Sequence, residues 1–213
     1  MTGVQTCALP ICKAGHLEPF TKVALFLAKG RNLAIVTQAE ALESYPGIRA
    51  DLQRTALAAY VIELLDRFTQ EEGENRQLFY LLVDTLGRLN QDEQPETIVR
   101  YYEVQLLDLL GFRPELTRCV VCRAEIKPED QFFSARLGGA LCPRCSGQDT
   151  AAWRISVSAL KYLRYFQRSP YSAVRGRVIP AAAEVELRAL MERYFTYLLE
   201  YGLRTPGFLD AIS

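Results

Sequence analysis

The sequence predicts a mainly α-helical protein: a helical domain with an inserted four-cysteine module, preceded by a β-hairpin. Three observations predict this fold class. Apolar residues recur at helical spacing through most of residues 57–110 and 157–201. Two C-x2-C pairs interrupt that pattern. A short stretch of alternating apolar residues with a central turn comes before the helices.

Two strands are predicted at the start of the chain. Phe20 to Lys29 alternates between apolar and other residues, Gly30 to Asn32 is turn material, and Leu33 to Thr37 is the second strand. The break at Tyr45-Pro46-Gly47 divides residues 13–46 from a helical domain at 47–213, whose cysteine module spans 117–147.

Three helices are predicted before the cysteines. The first carries an apolar stripe from Leu57 to Phe68 and ends at Glu71-Glu72-Gly73. Asn75 can cap the second helix, and Pro95 suits the first turn of the third. Gly111 then ends the third helix in the position just beyond the C-cap. The apolar stripe of the second helix comprises Leu78, Leu82, Leu86 and Leu89. That of the third helix comprises Ile98, Tyr102, Leu106, Leu109 and Leu110.

The C-terminal half is predicted to hold a small hairpin and two helices. Gln131–Ala135 and Ala140–Cys142 flank a glycine turn inside the cysteine segment. Helical spacing resumes from Val157 to Phe166 and ends at Ser169-Pro170. A last helix follows Pro180 and extends to Tyr201.

The cysteines predict a metal site. Cys119 and Cys122 form one C-x2-C pair, Cys142 and Cys145 form the other, and 19 residues separate the pairs. This spacing is typical of a four-thiolate zinc site, in which each pair aims two sulfurs at one ion. Since the segment contains no histidine, thiolates fill every position, which predicts one structural Zn²⁺ rather than a catalytic ion. Two reduced or redox-active pairs, or an iron site, are the alternatives.

Charge is distributed unevenly along the chain although the net charge is zero. Residues 1–99 carry 9 Lys and Arg against 13 Asp and Glu, whereas residues 100–213 carry 16 against 12. No acidic residue lies between Asp149 and Glu184.

The residues between them include candidate DNA contacts. Lys161, Arg164 and Arg168 form one stripe of a helix. Together with nearby tyrosines and with Arg175 and Arg177, they are candidate DNA contacts, because guanidinium groups neutralise phosphates and aromatic rings stack on bases. A solvated basic face is the alternative.

Near the cysteines, Arg118, Arg123 and Arg144 would offset the net charge of about −2 that four thiolates and one Zn²⁺ leave. We favour that role slightly over phosphate contact.

Several classes of function are not indicated by the sequence. No apolar run approaches the roughly 20 residues of a membrane span, and no signal peptide is evident, so we expect a soluble cytoplasmic protein with reduced thiols. No phosphate-binding loop is present. The one histidine, His16, leaves no plausible base for a nucleophilic triad, so we expect no enzymatic activity.

Three segments together resemble a known family. YYEVQLLDLLGFRPELTRCVVC (Tyr101–Cys122) resembles the centre of RecO, the bacterial recombination mediator. FFSARLGGALCPRC (Phe132–Cys145) resembles the second half of the RecO zinc module, and residues 17–52 are similar to the end of its OB-fold and the start of its helical domain.

The resemblance implies a DNA-binding protein of the bacterial cytoplasm, associated with the nucleoid during repair. Such a protein anneals complementary strands and recognises the acidic tail of single-strand-binding protein (SSB). It works with RecR and RecF to load RecA on SSB-coated DNA.

One departure concerns the N-terminal region. An OB-fold has five strands, and a single hairpin precedes the helices here, so residues 13–46 are predicted to be a remnant of that domain. Residues 1–12 (MTGVQTCALPIC) resemble a peptide translated from sequencing adapters and are predicted to be a non-native leader. Lys29 and Arg31 are candidate DNA contacts in an OB-fold loop.

The sequence therefore favours a RecO-type mediator. The alternative is a protein-interaction adaptor, a helical scaffold with a zinc knuckle and no DNA binding. A zinc enzyme would require an open coordination position.

Overall fold

The computed structural model describes residues 18–30, 34–69 and 75–199. Predictions for the leader at 1–12, for Arg31, for the helix end at 71–73 and for Tyr201 lie outside these residues. The described part is mainly helical, with seven α-helices and five strands. None of its helices is long and apolar enough to cross a membrane.

The first two strands form the predicted hairpin. β1 (Thr21–Lys29) pairs antiparallel with β2 (Ala34–Ser44), from Thr21 opposite Ser44 to Lys29 opposite Ala34. β2 extends past the predicted end at Thr37 to Ser44, because the residues after Thr37 pair with the first part of β1. No further described strand joins this sheet. Its exposed large apolar residues are Leu25, Phe26, Leu27, Ile35 and Leu42.

The helices have the following bounds: α1 Pro46–Arg49, α2 Leu52–Phe68, α3 Arg76–Gln91, α4 Pro95–Leu109, α5 Val157–Arg168, α6 Tyr171–Val174 and α7 Ala181–Leu199. The five longer helices match the predicted ones. The one-turn helices α1 and α6 were not predicted, because four residues are too few to show an apolar period.

Local sequence signals set several helix ends as predicted. The Asn75 side chain accepts a hydrogen bond from the Leu78 N–H at 3.2 Å and caps α3. Pro95 occupies the first turn of α4. Gly111 has a φ of +80°, and its N–H donates to the Asp108 carbonyl at 3.1 Å. The Phe112 N–H donates to the Leu107 carbonyl at 2.8 Å, which completes a Schellman motif.

Helix α4 is the centre of the helical domain. It packs against α2, α3, α5 and α7. Residues 97–104 of α4 are all buried, although the sequence showed only one apolar stripe. A helix buried on every side has to be covered by several neighbours. The two charged residues of that stretch, Arg100 and Glu103, are therefore enclosed as well.

The cysteine module lies between α4 and α5 in sequence. Its three-stranded sheet has the order β4-β3-β5, from β3 (Gln131–Ser134), β4 (Gly139–Leu141) and β5 (Trp153–Ile155). The hairpin of β3 and β4 was predicted, whereas β5 was not, and it lies beyond the predicted module end at residue 147. A short 3-10 helix, Pro143–Gln148, follows β4.

Gly139 allows the segment after α4 to lie against β4. The Ala140 N–H donates to the Glu115 carbonyl at 2.8 Å, and the Glu115 N–H donates to the Gly138 carbonyl at 3.0 Å. A Cβ atom at position 139 would lie 2.3 Å from the Glu115 carbonyl oxygen. Only glycine permits this close approach of two backbones.

Candidate metal centre and basic surfaces

A tight turn of the backbone presents the first pair of cysteines. The Cys119 N–H donates to the Ala124 carbonyl at 2.8 Å, and the Arg123 N–H donates to the Cys119 carbonyl at 2.9 Å. Arg123 adopts a left-handed conformation with a φ of +61°. That conformation costs an L-residue other than glycine roughly 1–2 kcal/mol. The turn thus holds both sulfurs on one side at the cost of local strain.

The second pair lies at the end of β4. Cys142 directly precedes the 3-10 helix, and the Cys145 N–H donates to the Cys142 carbonyl at 2.9 Å. The Val120 N–H donates to the Ala140 carbonyl at 3.0 Å and fixes the first turn against β4. Pairing between these backbone segments therefore brings the two C-x2-C turns together.

The four sulfurs are spaced as a single ion requires. The Sγ atoms of Cys119, Cys122, Cys142 and Cys145 all lie within 4.8 Å of one another. Cys122 Sγ and Cys142 Sγ are 3.7 Å apart. A tetrahedral site with Zn–S bonds of about 2.3 Å has sulfur–sulfur edges of about 3.8 Å. The predicted residues thus form one cluster that could hold a metal ion.

The protonation of the thiols also suits a cation. Burial raises the pKa of Cys119, but N–H groups of Cys142, Cys122 and Val121 outweigh it and lower the pKa to about 6. Burial and the three neighbouring cysteines raise the pKa of Cys145 to about 12. Four crowded thiols cannot all ionise without a positive charge among them. A divalent cation supplies that charge, so the donor set fits a metal.

The flanking arginines lie on the surface around this cluster. Arg118, Arg123 and Arg144 are exposed. None of the three makes an ion pair with another residue of the described chain. Their charges are available both to the thiolate cluster and to an external partner.

The predicted basic stripe of α5 is divided between two surroundings. Lys161 and Arg177 line one open groove of about 460 Å³ together with Ser158, Tyr162 and Tyr165. The Tyr165 hydroxyl donates to the Ala173 carbonyl at 2.6 Å, which fixes one ring of this groove. We call it the tyrosine groove. It places two cations and two aromatic rings side by side.

Arg164 has a structural contact that the sequence did not indicate. Its guanidinium donates to the Leu116 carbonyl through Nε at 2.9 Å and Nη2 at 2.5 Å. This contact holds α5 against the segment that leads into Cys119. The predicted role of Arg164 in DNA binding stays a prediction, with part of its donor capacity already in use.

The remaining basic candidates lie apart. Arg168 is exposed at the end of α5. Arg175 Nε lies 3.7 Å from Asp92 Oδ2, so that an acidic partner offsets its charge. Lys29 is exposed at the end of β1, whereas Arg31 lies outside the described residues. The structure thus groups Lys161 with Arg177 and separates the other candidates.

A buried ionic cluster inside the helical domain was missed from the sequence. Arg100 Nη1 lies 3.1 Å from Glu103 Oε2, and Arg100 Nε lies 3.5 Å from Glu184 Oε1. The Tyr60 hydroxyl donates to Glu103 Oε1 at 2.6 Å. Neither of the two arginine contacts has hydrogen-bond geometry. Burial accordingly raises the pKa of Glu103 to about 7, and it raises that of Glu184 as well.

The fold and the cysteine cluster define a helical protein with a four-cysteine module that could hold a metal ion. Comparison with known proteins identifies its family. The family model described as "Recombination protein O C terminal" matches residues 49–206. The chain is 42% identical over 199 residues to the DNA repair protein RecO of Roseiflexus sp. (strain RS-1), covering 93% of this chain and 70% of that protein. It is 34% identical over 200 residues to the DNA repair protein RecO of Dehalococcoides mccartyi (strain ATCC BAA-2266 / KCTC 15142 / 195), covering 94% and 79%. This chain belongs to the RecO family.

Proposed function

We propose that this chain is a DNA repair and recombination mediator that binds DNA and anneals complementary single strands. It has no catalytic chemistry of its own in this proposal. Its relatives carry the name DNA repair protein RecO. The observation that supports DNA binding most directly is the tyrosine groove, where Lys161 and Arg177 lie beside Tyr162 and Tyr165.

This pair of cations and pair of rings suits a single strand. Lysine and arginine neutralise phosphates, and each phosphate contact releases bound counterions. Tyrosine rings stack on bases without regard to sequence. Neutralising two strands lowers their mutual repulsion, so that complementary bases can pair. Lys29, Arg31, Arg164, Arg168 and Arg175 are further candidates for the same DNA surface.

The partners in this proposal follow the family resemblance. RecR and RecF act with the chain to load RecA on DNA covered by SSB, and the helical domain receives the SSB tail. The protein works in the bacterial cytoplasm, at the nucleoid during repair.

The metal in the proposal is one structural Zn²⁺. Cys119, Cys122, Cys142 and Cys145 would hold it, and their thiolates fill all four tetrahedral positions. When bound, the ion supplies folding free energy to a segment with a small core of its own. The residues around it keep β4 and the segment after α4 in place.

Strand annealing of complementary labelled oligonucleotides tests this proposal. We expect the metal-loaded chain to bind an oligo-dT with an affinity that falls steeply with salt, and to accelerate annealing. Lys161→Glu/Arg177→Glu should weaken both activities by at least tenfold. The matched control is Arg67→Glu/Arg193→Glu, which reverses two exposed charges elsewhere in the helical domain and should leave both unchanged.

Unchanged DNA binding in a folded Lys161→Glu/Arg177→Glu variant would exclude the tyrosine groove as the DNA site. No DNA binding by the wild-type chain at low salt would favour the protein-interaction adaptor instead.

A further inference from the structure

A second basic groove lies beside the metal cluster. Thr117, Arg118, Arg123 and Glu125 line an open groove of about 440 Å³, which we call the knuckle groove. Both arginines are exposed and make no ion pair with another described residue. Two guanidinium groups thus line this surface depression together with one carboxylate, and the carboxylate of Glu115 lies near Arg118 outside the lining.

The backbone of Arg123 points to a role for its side chain. Arg123 has a φ of +61°, in a region that glycine occupies without strain. The metal cluster does not need the arginine as a ligand, because four thiolates complete the tetrahedron. A strained non-glycine residue on an exposed turn is a reason to look for a function of its side chain.

The knuckle groove is close to the basic residues of α5. The hydrogen bonds from Arg164 to the Leu116 carbonyl place α5 next to the residue that precedes Thr117. Lys161 and Arg168, one turn to either side of Arg164, are exposed. The exposed cations of α5 therefore lie on the helix that packs beside the knuckle, and the carboxylates of Glu115 and Glu125 lie near Arg164 at this junction.

We propose that the knuckle groove binds the phosphate backbone of single-stranded DNA through Arg118 and Arg123. This inference rests on the proposed DNA-binding function and adds a second contact site to it. The planar guanidinium group donates two parallel hydrogen bonds to a phosphate, which makes arginine well suited to this contact. A strand bound in the tyrosine groove would gain further phosphate contacts at the knuckle.

Fluorescence anisotropy with a labelled oligo-dT, measured on the metal-loaded chain at several salt concentrations, tests the inference. Arg118→Gln/Arg123→Gln should weaken binding. It should also lower the slope of log affinity against log salt by about 1.4, since each phosphate contact on a single strand contributes about 0.7. The control Arg67→Gln/Arg193→Gln removes the same charge and should change neither quantity.

Two single substitutions separate DNA contact from support of the metal. Arg123→Gly removes the guanidinium and relieves the strained backbone, so we expect weaker DNA binding with unchanged metal affinity in a chelator competition. Glu125→Gln removes the one acidic side chain that lines the groove and should tighten DNA binding. Loss of metal affinity in Arg123→Gly, with no effect of Glu125→Gln on DNA binding, would show that the arginines only balance the thiolates.

The outcomes distinguish this inference from the proposed function. If the wild type binds oligo-dT and Arg118→Gln/Arg123→Gln binds it equally well, the knuckle groove is not a DNA site, while the proposed function stands. If that variant loses only the binding of polyglutamate, the groove takes an acidic protein and the inference is wrong. If the wild type binds no DNA, both fail.

Discussion

The buried carboxyl of Glu103 should make the stability of the protein depend on pH. Its pKa is raised from 4.5 to about 7, mainly by burial, so the folded chain binds a proton that the unfolded chain releases between these pH values. The contribution of Glu103 to the unfolding free energy is therefore full below pH 4.5 and is lost as the pH rises through 7. From pH 5 to pH 8 the loss amounts to roughly 2–3 kcal/mol, because each pKa unit corresponds to more than about 1 kcal/mol.

Glu103→Gln isolates this effect, because glutamine keeps the shape of the side chain and does not titrate. Urea unfolding followed by circular dichroism would give the unfolding free energy of both proteins from pH 5 to pH 8. We expect the stability of the wild type relative to the variant to fall by roughly 2–3 kcal/mol over that range. Both proteins carry the same cysteine module, so the effects of pH on metal binding cancel in the difference.

A difference that does not change with pH would refute this reasoning. If the unfolding free energy of the wild type minus that of the variant instead rose with pH, attraction to Arg100 would outweigh burial and keep Glu103 ionised.

Three further substitutions test the fold and the metal centre. Asn75→Ala removes the cap of α3 and should lower the unfolding free energy by about 1 kcal/mol in urea titrations, whereas Asn75→Ser should lower it less. Gly139→Ala places a methyl group 2.3 Å from the Glu115 carbonyl oxygen, so we expect a lower melting temperature; an unchanged value would contradict the close approach of these backbones. Cys142→Ser removes one thiolate and should reduce the bound metal from one equivalent toward none in elemental analysis, and retention of a full equivalent would mean that the four cysteines do not share one ion.

Local signals were readable from the sequence because they depend on few residues. Asn75, Pro95 and Gly111 set helix ends through hydrogen bonds or backbone angles within one turn, and the structure has them as predicted. The cysteine spacing was equally informative, since two short turns suffice to present four sulfurs, and these sulfurs lie together in the structure.

The structural features that the sequence did not indicate depend on contacts between residues far apart in the chain. β5 is three residues long and exists because it pairs with β3, 20 to 24 positions earlier in the chain. The contact of Arg164 with the Leu116 carbonyl spans 48 positions, so the charge pattern alone suggested a free cation. The buried pair Arg100 and Glu103 resembled an ordinary i,i+3 surface pair, because its burial depends on the packing of four other helices.

The insertion of the cysteine module between α4 and α5 affects the entropy lost when these two helices pack against each other. About 47 residues, 110–156, separate these two packed helices. A metal that joins Cys122 to Cys142 would shorten this loop to under 30 effective residues. Closure entropy depends only on the logarithm of loop length, so the shortening favours helix docking by less than about 1 kcal/mol. Removal of the metal should therefore loosen the module while the helices around α4 stay packed. The surface beside the cysteines would then change with the metal concentration, and the helical domain would not.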